Sequence, residues 1–351
     1  MGNDIISELP EFLITQILLW LPTKDSVKTS VLSTKWRNLW LNVPGLDLNS
    51  DDFPFPYRDN IYNVTERFLE FNSESRLQKF KIKNNHGRYN VCRERLKEWI
   101  AIAVDREIQH LDVETKNPLL HLKDFMPMNI YKSKTLVSLK LVYVGMNDPA
   151  EFSVSLPCLK IMHLENVWID LDTEFGGSYF DDLRKRYIVR DFLTGIPTVR
   201  HMVISQRTLE VIHRYSKQEP VLKFHHLSHL KAAFSSSSLQ LLPAFLESCP
   251  NLKKLILDLF VSAEPEQTDL TDVSRCMTST LECIEINKLI RKEATGIKLV
   301  HYFLENSRVL KKLKLSFTDS PKSMTNQPIY HIYKVYLTSR KRSRRCEVII
   351  C

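Results

Sequence analysis

The sequence predicts an α/β chain: a short helical module at the N-terminus, then a solenoid built from recurring units that each contribute a strand. Two patterns carry that prediction. Residues 4–48 hold 21 apolar residues in 45, too many for helices that turn one side to water. From Leu77 onward, three apolar positions spaced as L-x-x-L-x-L recur nine times, at intervals of 23 to 40 residues. A third observation narrows the class. Glycine is scarce, 8 in 351, and neither G-x-G-x-x-G nor G-K-[ST] occurs, so a loop that cradles nucleotide phosphates has no candidate.

The run from Leu9 to Pro22 reads as one helix. Ser7 is its expected N-cap, Pro10 sits where a missing N–H costs little, and Pro22 stops it. Leu13, Ile17 and Leu21 form an i, i+4 stripe that Ile14 and Leu18 widen, while Phe12, Leu19 and Trp20 lie off its other edge. Only Glu11, Thr15 and Gln16 leave a polar strip. A second helix opens at Thr23, with Asp25 in its first turn where the helix dipole favours it, and presents Val27 and Val31 on one side. A third follows Ser33-Thr34 and carries Trp36, Leu39 and Trp40. Modules of about 40 residues rarely fold alone without metal, disulfide or partner. The surplus apolar surface must therefore meet either the rest of this chain or a second protein.

Asp51, Asp52, Pro54, Pro56 and Asn60 then mark a linker, and residues 51–75 are read as linker and first helix. The triplets begin as Leu77/Phe80/Ile82, Ile108/Leu111/Val113, Leu136/Leu139/Leu141, Leu159/Met162/Leu164 and Val199/Met202/Ile204. They continue as Leu227/Leu230/Ala232, Leu252/Leu255/Leu257, Leu281/Ile284/Ile286 and Leu310/Leu313/Leu315. The last two positions of each alternate, as a strand with one buried face requires. Stacked in parallel, such strands make the curved sheet of leucine-rich repeats, whose units run about 20–29 residues. Nine strands at about 4.8 Å each would span roughly 40 Å. The longest interval holds an insertion around Gly176-Gly177 and the charged stretch from Asp181 to Arg190. A turn asparagine is clear only at Asn85, so the units are degenerate, and a non-repeat α/β fold is the rival reading.

Composition sets the limits. With 43% hydrophobic and 26% charged residues the chain falls among globular proteins, and no apolar run reaches the length of a membrane span. The acidic N-terminus lacks a secretory signal and Ile6 breaks the myristoylation pattern, so an intracellular protein of nucleus and/or cytoplasm is expected. There the Asn63-Val64-Thr65 acceptor would meet no glycosylation machinery. Seven cysteines form no C-x-x-C pair and read as reduced thiols. His225, His226 and His229 lack the glutamate of H-E-x-x-H and read as a partly exposed cluster, so no metal and no cofactor is expected. No G-x-S-x-G elbow and no cysteine in a catalytic context suggest an enzyme. Arg340, Lys341, Arg342, Arg344 and Arg345 make the sharpest charge cluster, read as a nuclear import signal, a nucleic-acid patch or simply a solvated turn. Nucleic acid and membrane are not expected partners.

Leu9-Pro10, Ile17-Leu18, Leu21-Pro22-Thr23-Lys24-Asp25, Ser30-Val31-Leu32-Ser33 and Trp36-Arg37-Asn38-Leu39-Trp40 together resemble the F-box of plant F-box proteins, in order and without a gap. The resemblance implies a three-helix motif, here within residues 1–50, that binds the adaptor subunit of SCF ubiquitin ligases and through it the cullin and RING subunits. It implies Leu9, Pro10, Ile14, Ile17, Leu18, Leu21, Pro22, Val31, Leu32 and Trp36 as the contact set, some of which must form the motif's own core. A second resemblance rests on Leu242-Pro243-Ala244-Phe245-Leu246-Glu247-Ser248-Cys249-Pro250-Asn251-Leu252, Leu281-Glu282-Cys283-Ile284-Glu285-Ile286, Tyr302 to Leu313 and Arg344 to Ile350. These are similar to the FBD domain that ends many plant F-box/leucine-rich-repeat proteins. The implied architecture is an F-box, repeats over residues 76–240, and an FBD segment over 241–351 that continues the array. The implied function is a non-catalytic substrate receptor of an SCF-type ligase whose repeat and FBD arc holds an unnamed target. A small-molecule-dependent receptor and an adaptor-binding regulator that assembles no active ligase are the alternatives.

Overall fold

The computed structural model describes residues 6, 8–54, 57, 60–71, 75–85, 91–115, 126–146, 153–169, 191–206, 208–209, 223–235, 238–260, 270–289, 294–318 and 341–351. These divide into two compact units, Met1–Gly176 and Gly177–Cys351.

In the first unit the helices are shorter than the sequence suggests. α1 spans Glu11–Leu18 and α2 spans Thr23–Lys28, each preceded by a proline as its N-cap residue. Pro10 therefore takes the place expected of Ser7, which lies outside the described residues. The expected third helix is not an α-helix. Trp36, Arg37, Leu39 and Leu41 donate their N–H groups to carbonyls three residues back, and Leu39–Asn42 is a short 3-10 helix. Ser33, Thr34, Asn38 and Asn42 are residue types that favour turns and caps over helix interiors. The two buried residues Trp36 and Leu39 are also spaced by three, which matches the tighter turn.

The chain then enters a sheet at once. β1 (Gly45–Asn49), β2 (Lys79–Asn84), β3 (His110–Thr115) and β4 (Ser138–Val142) pair in parallel in that order. After β5 (Gly145–Met146), β6 (Ile161–Glu165) adds to β4, while β7 (Trp168–Ile169) pairs with β5. Register aligns Leu46, Phe80, Leu111, Leu139 and Met162 in one row, and Leu48, Ile82, Val113, Leu141 and Leu164 in the next. Val43/Leu46/Leu48 is thus a further triplet, all buried, inside the segment assigned to helices. α3 (Asn60–Glu70) packs on β1 and on α4 (Val91–Asp105), with the Tyr62 and Trp99 ring centroids 5.8 Å apart. The Arg106 guanidinium, only 9% exposed, ties the segment after α3 to the end of α4 by donating to the Ser75 carbonyl and hydroxyl, both at 2.7 Å.

The second unit repeats the plan. β8 (His201–Ile204), β9 (His229–Ser235), β10 (Lys254–Phe260), β11 (Cys283–Leu289), β12 (Lys312–Phe317) and β13 (Glu347–Ile350) pair in parallel in chain order. α5 (Leu242–Glu247), α6 (Arg275–Ser279) and α7 (Ala294–Asn306) fall between them. Met202, Leu230, Leu255, Ile284, Leu313 and Val348 share one row. Across both units the residues of all nine triplets are buried, none more than 3% exposed. Fully burying one such side chain contributes about 1.5–3 kcal/mol, so these rows are the main source of cohesion. β13 pairs with β12 at the end of the strand order, and its Ile350 is 44% exposed; among the described residues no strand pairs with its other edge.

Candidate docking surface of the N-terminal module

α1 has two apolar faces and the fold uses one. Ile14 and Leu18 point into a small core with Trp36, Leu39 and Val43, against which Leu9 and Leu19 pack half-buried. α2 is fixed to that core by polar bonds. The Ser26 hydroxyl, itself buried, donates to the Leu18 carbonyl at 3.1 Å. The N–H of Asp47 on β1 donates to the Thr23 hydroxyl at 2.9 Å, seating the start of α2 on the first strand. Lys35 Nζ donates to the Leu9 carbonyl at 2.8 Å and holds the segment before α1.

The other face is bare. Phe12, Leu13, Ile17 and Trp20 fall on one side of α1 and its C-terminal turn, and all are exposed, Trp20 at 87%. Leu21, Val27, Val31 and Leu32 are exposed too, with Val31 at 88% and Leu32 at 65%. Eight large apolar side chains facing water between residues 12 and 32 are far from the scattered exposure usual on a monomer and form the kind of contiguous apolar patch found at interaction sites. The ten residues named from sequence therefore separate. Ile14, Leu18 and Trp36 belong to the module's core, Leu9 lines its rim, and Pro10, Ile17, Leu21, Pro22, Val31 and Leu32 are outside. Phe12, Leu13, Trp20 and Val27 join the exposed set without having been named. The signal for the first three was present, since residues 12, 13, 16, 17 and 20 share a helix face opposite 14 and 18.

Elsewhere the chemistry is quiet. Burial pushes the Cys249 thiol far up and that of Cys276 up to about 12, so both stay protonated and inert as nucleophiles. His225 and His226 lie in a turn and His229 opens β9, not a helix, and no group of three or more His, Cys, Asp or Glu among the described residues is placed to hold a metal. Among the described residues no helix is long and apolar enough to cross a membrane. The sheet face of the first unit opposite its buried rows is neutralised by cross-strand ion pairs. Lys79 meets Asp47 at 2.6 Å, Lys83 meets Glu114 at 2.8 Å, and Lys140 lies between Asp112 and Glu114. Of the C-terminal basic cluster, Arg340 lies outside the described residues. The rest forms a turn whose Ser343 hydroxyl donates to the Leu310 carbonyl at 2.6 Å, leaving Arg342, Arg344 and Arg345 exposed.

The bare face lies in a segment that matches a known domain family. The F-box domain family model matches residues 6–47, the segment that carries it, and the FBD family model matches residues 269–315. A putative F-box/FBD/LRR-repeat protein of Arabidopsis thaliana is 47% identical, with 100% of both chains covered. An F-box/FBD/LRR-repeat protein of the same plant is 45% identical over 100% of both, and a putative FBD-associated F-box protein is 50% identical over 99% of each. The chain belongs to the F-box/FBD/LRR-repeat family. F-box domains generally bind SKP1-type adaptors within SCF complexes, and the exposed apolar set lies inside the matched F-box segment.

Proposed function

We propose that this F-box protein is the substrate-recognition subunit of an SCF-type, cullin-RING ubiquitin ligase. The observation that carries the reading is the uncovered apolar face of α1 and the Val31-Leu32 pair, within a module whose own core is already complete. In this reading Pro10, Ile17, Leu21, Pro22, Val31 and Leu32 touch the adaptor, with Leu9 at the rim, while Ile14, Leu18 and Trp36 shape the surface from beneath. The repeat and FBD strands hold a target protein, and the chain itself does no bond chemistry. Its contribution is effective concentration: holding a target lysine near the charged conjugating enzyme makes an encounter intramolecular, worth millimolar concentrations for short tethers. The exposed Arg342, Arg344 and Arg345 serve in the same reading as a nuclear import signal, checked by the distribution of a fluorescent fusion with all three changed to alanine.

The test is co-purification of the full chain with a SKP1-type adaptor, then reconstitution with cullin, RING subunit and conjugating enzyme. Stoichiometric capture and ubiquitin transfer to a bound protein are expected. Capture without transfer would move the protein to the class of adaptor-binding regulators. No capture would sink the reading.

A further inference from the structure

The second unit differs from the first on its open sheet face, and the difference is one of charge. Register places His201, His229, Lys254, Cys283 and Lys312 in a single row across β8 to β12. No carboxylate interrupts that row before Glu347 on β13. The positions immediately before β8, β10 and β12 add Arg200, Lys253 and Lys311 alongside it, with Glu282 before β11 between the last two. Three lysines of this face are already paired: Lys254 with Glu285 at 2.8 Å, Lys231 with Asp258 at 3.3 Å and Lys311 with Glu282 at 2.9 Å. Arg200, Lys253, Lys312 and Lys314 form no ion pair with a described residue, and the first three are exposed. The two imidazoles at the start of the row stack with centroids 4.4 Å apart, a flat and exposed end.

We propose that this row, with the unpaired cations in and beside it, is the docking site for an acidic segment of a protein. The inference rests on the target-receptor reading above and names the chemistry of the target. Five strands at about 4.8 Å make a row roughly 19 Å long, the span of about six residues of extended peptide at about 3.3 Å each. The unpaired cations supply long-range attraction and orient the segment, as charge complementarity does at interfaces. The next row of the same face offers half-buried Val203 and Ile256, which suit apolar side chains alternating with acidic ones. That row also carries Glu285, and Asp258 lies two positions beyond Ile256. Carboxylates there repel a continuous phosphate backbone but leave room for a peptide whose charges are spaced, so nucleic acid is not the occupant.

Fluorescence anisotropy on the full chain decides the matter, using a labelled peptide of about 12 residues with glutamate and leucine alternating. The probes beside it are the same peptide with lysine for glutamate and a thymidine oligonucleotide of equal length. The acidic peptide should bind, weaken with added salt as the Debye length shrinks, and lose about tenfold in affinity with Lys253→Glu/Lys312→Glu. The variant Lys97→Glu/Lys298→Glu makes the same change in net charge on exposed helical positions and should lose less than about twofold. Circular dichroism and adaptor capture, unchanged in both variants, separate this result from a folding fault and from failure of the ligase reading. The proposal falls if the acidic peptide does not bind, if the oligonucleotide binds as tightly, or if the two variants lose affinity equally.

Discussion

Replacing Val31 and Leu32 together by aspartate tests whether the bare face is a docking surface or merely tolerated. At 88% and 65% exposure the two side chains contribute little to the free fold, so stability should stay within about 0.5 kcal/mol of the parent. Covered by an adaptor, they would bury most of an aliphatic side chain each, and full burial is worth about 1.5–3 kcal/mol per residue. Scaled by the exposed fraction, the pair is worth about 3 kcal/mol. Two carboxylates left unpaired under a partner add a desolvation penalty of further kcal/mol. The expected loss is therefore more than about a hundredfold in affinity. Leu18→Ala is the counterpart: at 1% exposure it removes core contact and should cost about 2–5 kcal/mol of stability. Calorimetric titration against a SKP1-type adaptor, with a thermal melt of each variant, separates the two. A Val31→Asp/Leu32→Asp protein that folds and still binds within twofold of the parent would refute the assignment of this face.

Three other perturbations follow from the packing. A Cβ at Gly45 would lie 2.5 Å from Leu19 Cδ1 and 3.0 and 3.2 Å from Lys79 Cβ and O, where α1's end meets β1 and β2. Leu19 can rotate away but the Lys79 backbone cannot, so Gly45→Ala should cost about 1–3 kcal/mol, a fall of about 2–4 °C in Tm per kcal/mol for a unit of this size. Arg106→Met removes the charged donor of the Ser75 carbonyl and hydroxyl; Ser75 is exposed, so water takes the donor's place and the cost should be about 1–2 kcal/mol, read by denaturant titration. Burial pushes the Glu114 carboxyl up, but the hydrogen bond from Lys83 and the charges of Lys83 and Lys140 outweigh it and hold it below its ordinary 4.5. A depressed carboxylate contributes stability that is full above the ordinary value and lost as pH falls through the folded one. Glu114→Gln should therefore lower stability at pH 7 and flatten its decline below pH 4.5, measured by melts across acid pH.

What the sequence reveals of this protein depends on how local the deciding interaction is. The nine strand triplets were legible because alternation is a property of three nearby residues, and burial of every one of them follows from the parallel register. Val43/Leu46/Leu48 follows the same rule, yet it sits 34 residues before Leu77 inside a run dense in apolar residues, where a strand cannot be told from a helix by pattern. α1 poses the same problem in another form. With both faces apolar, composition marks the helix as buried all round, and only Trp36, Leu39 and Val43 arriving from later in the chain decide that Ile14 and Leu18 turn inward. The surface that remains is defined by what the core did not use. The row in the second unit is less local still: His229 and Lys254 are 25 residues apart, Lys254 and Lys312 are 58 apart, the two lysines do not stand out in their own segments, and His229 does so only beside His225 and His226. They become neighbours only because each strand starts in step with the last, so a repeat array writes its recognition surface across the sequence period and not along it.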